Sequence, residues 1–480
     1  MPNTSREAAK APERLVSSVL SAWEGDGAEA ISARMLASAA GLPVSAIHYH
    51  FGGLGQLLDA AQADAIASAR AWCEAQQEAI GKAAISPDML GPLLACLIDD
   101  WCEMQRGLAF AWREGQLMAL RDPDRCWAAR QWDQMWQGFF DQLCAGMGLS
   151  EFATLTAWFF DGASGLHILR WRRPLDRSAL EELCNGWAAW LGGKLAPQGG
   201  WFDTGQRDAQ MLAATPEPSD SVAETIANAA AQVVAESGVT ALTHRAVAAA
   251  ANVTLGTVSY KFRTSADLMR AAFDGIYRRM QSRSPVRLGE SAAMTVEEVI
   301  ALAEQGAPSR ADMLGSGELC IATARNPAFQ PFAAQLRYLR GRGSARILER
   351  ALGRDHAVSP VDGAILSAVL GGRGQACNST GPPRRCPGGS PLAGPDRPGR
   401  HVDVNTSSQR GCEGGPSICA PSRTSTPVSG GSPPFHRPWS GCRRSKSPGE
   451  SICQPIPRRH TGFRLPPPAF SSWRCGCSTA

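Results

Sequence analysis

The sequence has no long hydrophobic run of the kind that crosses a membrane, which takes about 18 or more apolar residues with few charges. The nearest candidate, Leu149 to Leu169, is interrupted by Glu151 and Asp161. The opening residues, MPNTSREAAKAPER, contain no apolar core that could serve as a secretory signal. We therefore expect a cytoplasmic protein that has no membrane partner and whose cysteines are free thiols.

The sequence also lacks the patterns that mark enzymes and metalloproteins. It has no phosphate-binding loop, no nucleophile paired with a base in a known motif, and no paired metal-ligand spacing. Strand-like alternation of apolar and polar residues does not extend over any useful length, whereas helical spacing recurs. We predict an all-α fold and neither an enzyme, a cofactor nor a metal site.

Acidic residues are scarce in the last part of the chain, where the composition changes abruptly. Residues 376–480 hold 14 Lys and Arg but 4 Asp and Glu, with 18 of the 33 prolines and 8 of the 15 cysteines. Residues 1–375 are mildly acidic, with 34 basic and 40 acidic side chains. We predict a disordered tail over 376–480. Two explanations of this segment stay open. It is either a genuine basic arm that binds phosphate groups or the product of a shifted reading frame.

The rest of the chain contains an internal repeat. Residues 30–51, AISARMLASAAGLPVSAIHYHF, align with residues 241–262, ALTHRAVAAAANVTLGTVSYKF, at an offset of 211 positions. A second similarity, Arg121-Asp-Pro against Arg325-Asn-Pro, lies at an offset of 204. Each copy is therefore a short head followed by a longer helical body. The predicted boundaries are a first head at 1–70, a first body at 71–196, a linker rich in Pro and Gly at 197–218, a second head at 219–283, and a truncated second body at 284–375.

Both heads carry the local signals of a helix-turn-helix. Ser32 and Thr243 offer side-chain oxygens that can cap a second helix. Gly41 and Asn252 then stand where a tight turn needs left-handed backbone, which glycine and asparagine tolerate best. A third short helix is predicted at 43–50 and at 255–261. Two short helices joined by such a turn make a motif whose second helix fits a DNA major groove.

These features, with the Tyr-x-Phe endings at 49–51 and 260–262, resemble the DNA-binding heads of TetR-type transcriptional regulators. The resemblance is firm over 5–70 and 219–283 and looser over the bodies. It implies a regulator that binds double-stranded DNA, most simply a repressor that releases DNA when a small apolar effector binds a body. The implied DNA contacts are Arg34, Pro43, Val44, Ser45, Ala46, Tyr49 and His50 in the first head, and Thr243, Arg245, Thr254, Leu255, Gly256, Thr257, Tyr260 and Lys261 in the second.

The two heads differ in charge. The family usually has a lysine three residues after the phenylalanine, where this sequence has Leu54 and Ser265. Residues 5–70 carry 5 basic and 7 acidic side chains, whereas residues 219–283 carry 7 basic and 5 acidic ones. Because DNA attracts positive charge, we predict that the second head binds DNA more strongly.

Tryptophan is concentrated in the first body, since 11 of the 14 lie between residues 72 and 201. Such a cluster suits a flat apolar effector and equally suits a core that only packs against itself. The candidate pocket residues are Trp101, Trp112, Trp132, Trp136 and Trp158.

The resemblance further implies that residues 152–171 and 361–372 form dimerising helices. A chain with two heads can then act as an intramolecular pseudo-dimer or assemble as a homodimer. The second body should be less stable than the first or rely on it, because the tail begins where its last helix is expected. The alternative function is a protein-interaction module or co-regulator with degenerate heads and no operator binding of its own.

Overall fold

Helices make up the described part of the chain, as the apolar spacing predicts. The computed structural model describes residues 3–25, 31–81, 86–212, 220–282, 308–352 and 357–379. Within these ranges there is no strand, and the prediction of an all-α fold is confirmed. No helix in the same ranges has the length and apolar character that crossing a membrane requires. The predicted tail from residue 380 onward lies outside the described residues.

The first copy begins with an amphipathic helix whose apolar side chains recur every four residues. Leu15, Val19 and Trp23 on this helix are fully buried, which fixes the face that it turns to the core. The helices of the first copy are α1 (Asn3–Glu24), α2 (Ala33–Ala39), α3 (Ser45–Phe51), α4 (Leu54–Ile80), α5 (Leu90–Glu103), α6 (Arg106–Arg121), α7 (Trp127–Gly146), α8 (Ala153–His167) and α9 (Arg173–Leu191).

The second copy repeats this order after one intervening helix, α10 (Trp201–Leu212). Its helices are α11 (Ser221–Ser237), α12 (His244–Ala251), α13 (Leu255–Lys261), α14 (Ser265–Ser282), α15 (Arg310–Arg325), α16 (Gln330–Tyr338), α17 (Arg342–Leu352) and α18 (Pro360–Ser379). The last helix therefore continues four residues past the predicted start of the tail at residue 376.

The segment predicted as a linker, 197–218, is described up to residue 212, and this part packs against the second copy. Its middle forms α10, whose Phe202 and Ala209 are buried. Gly205 allows Tyr338 to lie against the helix, because an added Cβ would stand 2.5 Å from the tyrosine ring. The side chain of Gln206 also donates to the Tyr338 carbonyl at 3.1 Å. The glycine that pointed to a flexible linker instead serves close packing.

Helices α6 and α15 hold the two copies together through reciprocal contacts. Arg106 donates to the carbonyl of Ala324 at 2.9 Å, and Arg310 donates to the carbonyl of Leu120 at 2.5 Å. These residues are related by the offset of 204 positions that the repeat shows. In a two-fold interface, each contact between two residues is repeated by the equivalent residues with the copies exchanged. The two arginine contacts follow this rule.

The same reciprocity governs the buried ion pairs of α6 and α15. Arg121 pairs with Glu318 at 2.6 Å, and Arg325 pairs with Glu114 at 2.8 Å. Both carboxylates are nearly inaccessible to solvent. Removal of one partner of such a buried pair leaves an uncompensated charge, which costs about 3–5 kcal/mol. The four side chains therefore fix the register of the two helices.

A second interface joins α8 to α18, the two segments expected to dimerise. A Cβ added at Gly162 would lie 2.1 Å from the Ala368 carbonyl oxygen, and one added at Gly372 would lie 2.2 Å from that of Trp158. The two contacts are equivalent, since Gly372 and Ala368 lie 210 positions after Gly162 and Trp158. The helices thus approach backbone to backbone, and the glycines make that approach possible.

The two bodies share one large core instead of forming separate domains. Its buried side chains come from both copies, for example Phe160 and Leu183 from the first and Leu319 and Ile365 from the second. All described residues belong to one unit of the fold, and the other unit, 387–462, lies outside them. The expectation that the second body is less stable than the first or relies on it stays a prediction.

A buried histidine links α8 to α16 across the same boundary. Arg337 donates to Nδ1 of His167 at 2.7 Å, so this nitrogen carries no proton. Nε2 then donates to Oδ1 of Asp99 at 2.8 Å. Burial, together with the positive charge of Arg337, lowers the pKa of His167 to about 4. The packing therefore requires the neutral imidazole.

Substitution of Gly372 by alanine tests the close approach of α8 and α18. The new Cβ would overlap a backbone oxygen, which cannot move aside as a side chain can, and we expect a loss of about 1–3 kcal/mol in unfolding free energy. The control is Gly138→Ala on α7, where no atom lies within 4 Å of the new Cβ. That change should be neutral or stabilising by up to about 1 kcal/mol. Equal urea midpoints for the two variants would contradict the interface.

The state of His167 predicts a dependence of stability on pH. Between pH 6.5 and 4 the unfolded chain takes up a proton at this histidine while the folded chain does not, so stability is lost as the pH falls. The loss is limited to about 3 kcal/mol by the size of the shift. His167→Gln should show a shallower loss in urea unfolding between pH 7.5 and 4.5. Parallel pH profiles for the variant and the wild type would refute this assignment.

Candidate DNA-binding surfaces

The turns that define the two helix-turn-helix units have the predicted backbone. Gly41 has a φ of +62° and Asn252 a φ of +53°. Asn252 is the one residue other than glycine with positive φ in the described ranges. Left-handed backbone disfavours other side chains, so these two positions set the angle between the paired helices. The predicted turns are confirmed.

Side-chain caps begin three of the four short helices. Ser32 accepts a hydrogen bond from the backbone of α2 at 3.2 Å, and Thr243 does the same for α12 at 3.1 Å. Thr254 accepts from the backbone N–H of Thr257 at 3.1 Å and starts α13 at the predicted residue. In the first head α3 begins at Ser45 without a side-chain cap, because the equivalent position is Pro43.

Each recognition helix turns one apolar side chain inward and its tyrosine outward. Ile47 of α3 and Val258 of α13 are fully buried. Tyr49 and Tyr260 are 84% and 74% exposed. Tyrosine rings are seldom exposed to this degree, because much of their surface is apolar. The exposure leaves both the ring and the hydroxyl of each tyrosine available to a partner.

The side chains expected to contact DNA lie on the two turns and their flanking helices. Exposed members are Arg34, Pro43, Val44, Ser45, Tyr49, Thr243, Arg245, Thr254, Leu255, Gly256, Tyr260 and Lys261, whereas Ala46, His50 and Thr257 are half-buried. Beside Gly256 an added Cβ would meet only Thr254 Oγ1, at 3.7 Å. The backbone of α13 is thus open to a close approach from outside.

Lys261, the expected phosphate contact of the second head, is not a free cation. Its ammonium pairs with the carboxylate of Asp220, which also caps the start of α11. The hydrogen bond to Asp220 raises the pKa of Lys261 and lowers that of the aspartate. Both groups are exposed, so a phosphate group can compete with Asp220 for the lysine.

Sequence reasoning missed two side chains that brace the heads. His244 Nε2 lies 2.7 Å from the carbonyl oxygen of Phe262, and this bond ties the start of α12 to the end of α13. Arg14 on α1 reaches the carbonyl oxygen of Gly41 at 3.5 Å. Both bonds join residues that are distant in the chain, and no local pattern marks them.

Each head also meets the central helix of the other copy. Arg325 of α15 donates to the carbonyl of Trp23, at the end of the first helix of the first head, at 2.7 Å. At the end of α11 a Cβ on Gly238 would lie 2.7 Å from Glu318 Oε1 and 3.2 Å from Arg121 Nε. The ion pairs of α6 and α15 are therefore in direct contact with the first helix of both heads.

The candidate pocket tryptophans have a packing role in the structure. Trp101, Trp112, Trp132 and Trp136 are at most 3% exposed. The ring centroids of Trp101 and Trp136 are 4.9 Å apart, and those of Trp112 and Trp136 are 5.0 Å apart. Trp158 is half-buried and lies at the interface with α18. The rings fill the space that a flat effector would need. An effector could bind here only if the rings moved apart, and a pocket at this place stays a prediction.

The cysteines and the possible metal ligands show no site. Eight cysteines fall in the described ranges. The seven whose side chains are described are free thiols, as expected. In those same ranges no three side chains of His, Cys, Asp or Glu are grouped as a metal ion would require.

Comparison with known proteins identifies one part of the chain. Residues 226–272, from α11 to α14, match the family described as "Bacterial regulatory proteins, tetR family". No curated protein matches the chain. The matched segment contains the capped α12, the left-handed turn at Asn252 and the recognition helix α13. The match supports a DNA-binding transcriptional regulator of the TetR type, with the second head as its DNA-binding part.

Proposed function

We propose that this protein is a ligand-responsive transcriptional repressor whose two heads act together as an intramolecular pseudo-dimer. The reciprocal contacts of α6 and α15 are the observation that carries the proposal. Regulators of this kind place paired recognition helices in successive major grooves, about 34–36 Å apart. In this chain a two-fold interface already relates the two copies without a second molecule.

The residues of the recognition helices divide into two roles. The hydroxyls of Thr243, Thr254 and Tyr260 and the ammonium of Lys261 suit phosphate oxygens, which position the head without reading sequence. Leu255 and the open backbone at Gly256 face the floor of the groove, where apolar contact with a thymine methyl group discriminates between base pairs. In the first head Val44 corresponds to Leu255, and Tyr49 corresponds to Tyr260.

Since the two recognition helices differ, the operator we propose has two unlike half-sites. The cap and helix of the second head carry Thr254, Thr257 and Lys261. The corresponding residues of the first head are Pro43, Ala46 and His50. Identical half-sites would leave one head poorly matched. The second head, with its larger positive charge, would contribute more of the affinity.

The alternative function, an interaction module without operator binding, predicts a different response to salt. When binding depends on phosphate contacts, the logarithm of the affinity falls steeply and linearly with the logarithm of the salt concentration. A protein contact centred on exposed apolar side chains such as Tyr49 would depend weakly on salt. The exposed hydroxyls of Thr243, Thr254 and Tyr260 and the ammonium of Lys261 favour the DNA-binding function.

The single-chain proposal is tested by the stoichiometry of the complex with DNA. Genomic fragments selected by the purified protein should bind one chain per site in mass photometry, and the footprint should cover two adjacent major grooves. A site occupied only by two chains, with all four heads equivalent, would refute it. The failure to select any fragment over random DNA would favour the alternative function.

The tyrosines test which head contributes more. Tyr260→Phe and Tyr49→Phe each remove one exposed hydroxyl that can donate to phosphate, and we expect each change to weaken binding by roughly two- to tenfold. The larger loss should follow the change at Tyr260. Met104→Ala, which alters a side chain that is likewise 74% exposed but lies on the first body, is the control. Equal affinities for wild type and both tyrosine variants would remove these helices from the interface.

Release of Lys261 from Asp220 should strengthen binding by the second head. Asp220→Asn keeps a good cap for α11 but removes the charge that competes with phosphate, so we expect a several-fold gain in affinity at low salt. Asp122→Asn, at an exposed cap on the first body, changes the net charge equally and serves as the control. An equal gain for both variants would mean that only net charge matters.

A further inference from the structure

A cavity lies between the two bodies, away from the tryptophans of the first body. Its volume is about 110 Å³, and its walls come from α6 and α8 of the first copy and from α15, α18 and Arg340 of the second, where Arg340 lies between α16 and α17. The apolar part of the wall consists of Leu117, Ile168, Met313, Ile321 and Leu370. An apolar cavity of about 150 Å³ accommodates benzene, so this one holds at most a single ring or a short chain.

Two arginines reach the wall of this cavity, and one of them is already neutralised. Arg113 forms an ion pair with Asp161 and donates to Gln116 Oε1 at 2.9 Å and to Ser164 Oγ at 2.7 Å. Its guanidinium also lies over the ring of Trp112, with the carbon 4.0 Å from the centroid. Arg113 is therefore held in place and has its charge compensated.

Arg340 is the uncompensated charge of the cavity. Its one hydrogen bond within the described ranges runs from Nε to Ser367 Oγ at 3.3 Å, and no carboxylate of those ranges lies within 4.0 Å of it. The thiol of Cys320 supplies no negative charge either, because burial raises its pKa. A half-buried guanidinium without a counter-ion has several N–H groups to offer a ligand.

The glycines of the cavity make room for this guanidinium. A Cβ added at Gly371 would lie 2.7 Å from Nη2 of Arg340, so any other residue would displace the arginine. The guanidinium of Arg340 thus lies against a glycine that has no side chain, and the apolar wall of the cavity is beside it. A planar anion can meet the guanidinium fork with two hydrogen bonds, and its apolar remainder can lie against the wall.

We propose that this cavity between the bodies binds a small organic carboxylate with an apolar part no larger than one aromatic ring, and that Arg340 holds its carboxylate. The site does not depend on the DNA-binding function. If that function holds, such a ligand touches the four helices that join the copies and can shift the heads relative to each other.

Calorimetric titration of the DNA-free protein with benzoate and with hexanoate tests the site. We expect one molecule of each to bind per chain. Benzyl alcohol has the same ring without the charge, and inorganic phosphate has the charge without the apolar part, so both should bind at least about tenfold more weakly. Failure of both carboxylates to bind, or equal binding of benzyl alcohol or phosphate, would overturn the proposal.

Variants at Arg340 assign the contact. Arg340→Met keeps an unbranched apolar stem but removes the guanidinium, and should weaken benzoate binding by roughly 10- to 100-fold, the usual effect of losing a charged hydrogen bond. Arg340→Lys keeps the charge and should restore part of the affinity. Arg346→Met, at an exposed arginine of α17, is the control and should bind as the wild type does. Unchanged affinity in Arg340→Met, with thermal unfolding confirming that it is folded, would refute the assignment.

The consequence for DNA is a separate measurement. If benzoate binds but leaves the affinity for a selected DNA fragment unchanged, the site stands and its coupling to the heads is refuted. If the protein selects no DNA, the calorimetric result still decides whether the site exists.

Discussion

The exchange of arginines between α6 and α15 is the interaction on which the rest of the structure depends. Arg106 and Arg310 each satisfy a carbonyl of the opposite helix, and Arg121 and Arg325 each neutralise a carboxylate of the opposite helix. Charged groups in a low dielectric tolerate little displacement, because a lost partner leaves the other charge buried. Arg325 also donates to Trp23 in the first helix of the first head, and Arg121 lies against Gly238 at the end of the first helix of the second head. The relation between the bodies is therefore also the relation between the heads.

In this arrangement the interface between the two bodies is symmetric, whereas the surfaces of the two heads are not. The bodies meet through equivalent residues, and both heads have a left-handed turn and a buried apolar residue at the same position of the recognition helix, Ile47 or Val258. The surfaces of those helices have diverged, with a capped and polar α13 and an uncapped α3 that follows proline. A common framework therefore presents two different surfaces, which is the physical reason for proposing unlike half-sites.

The features that the sequence predicts correctly are those that local interactions determine. The caps at Thr243 and Thr254 and the turns at Gly41 and Asn252 need only neighbouring residues, so their positions are visible in the sequence. Contacts such as Arg325 with Trp23 join residues from different copies, and no short pattern predicts them. Gly205 is ambiguous in the sequence for a related reason, since glycine serves both a flexible link and close packing, here against Tyr338. The tryptophans of the first body could equally predict a pocket or a core, and only their neighbours decide between these.

The shared core has a consequence for how the protein behaves when few copies are present. A two-chain dimer falls apart once it is diluted below its dissociation constant, and its subunits must find each other again. Here the halves are covalent neighbours, and their effective concentration is set by the chain that joins them and not by the number of molecules in the cell. Pairing of the halves is therefore insensitive to expression level, and each half is free to accumulate substitutions that the other does not share.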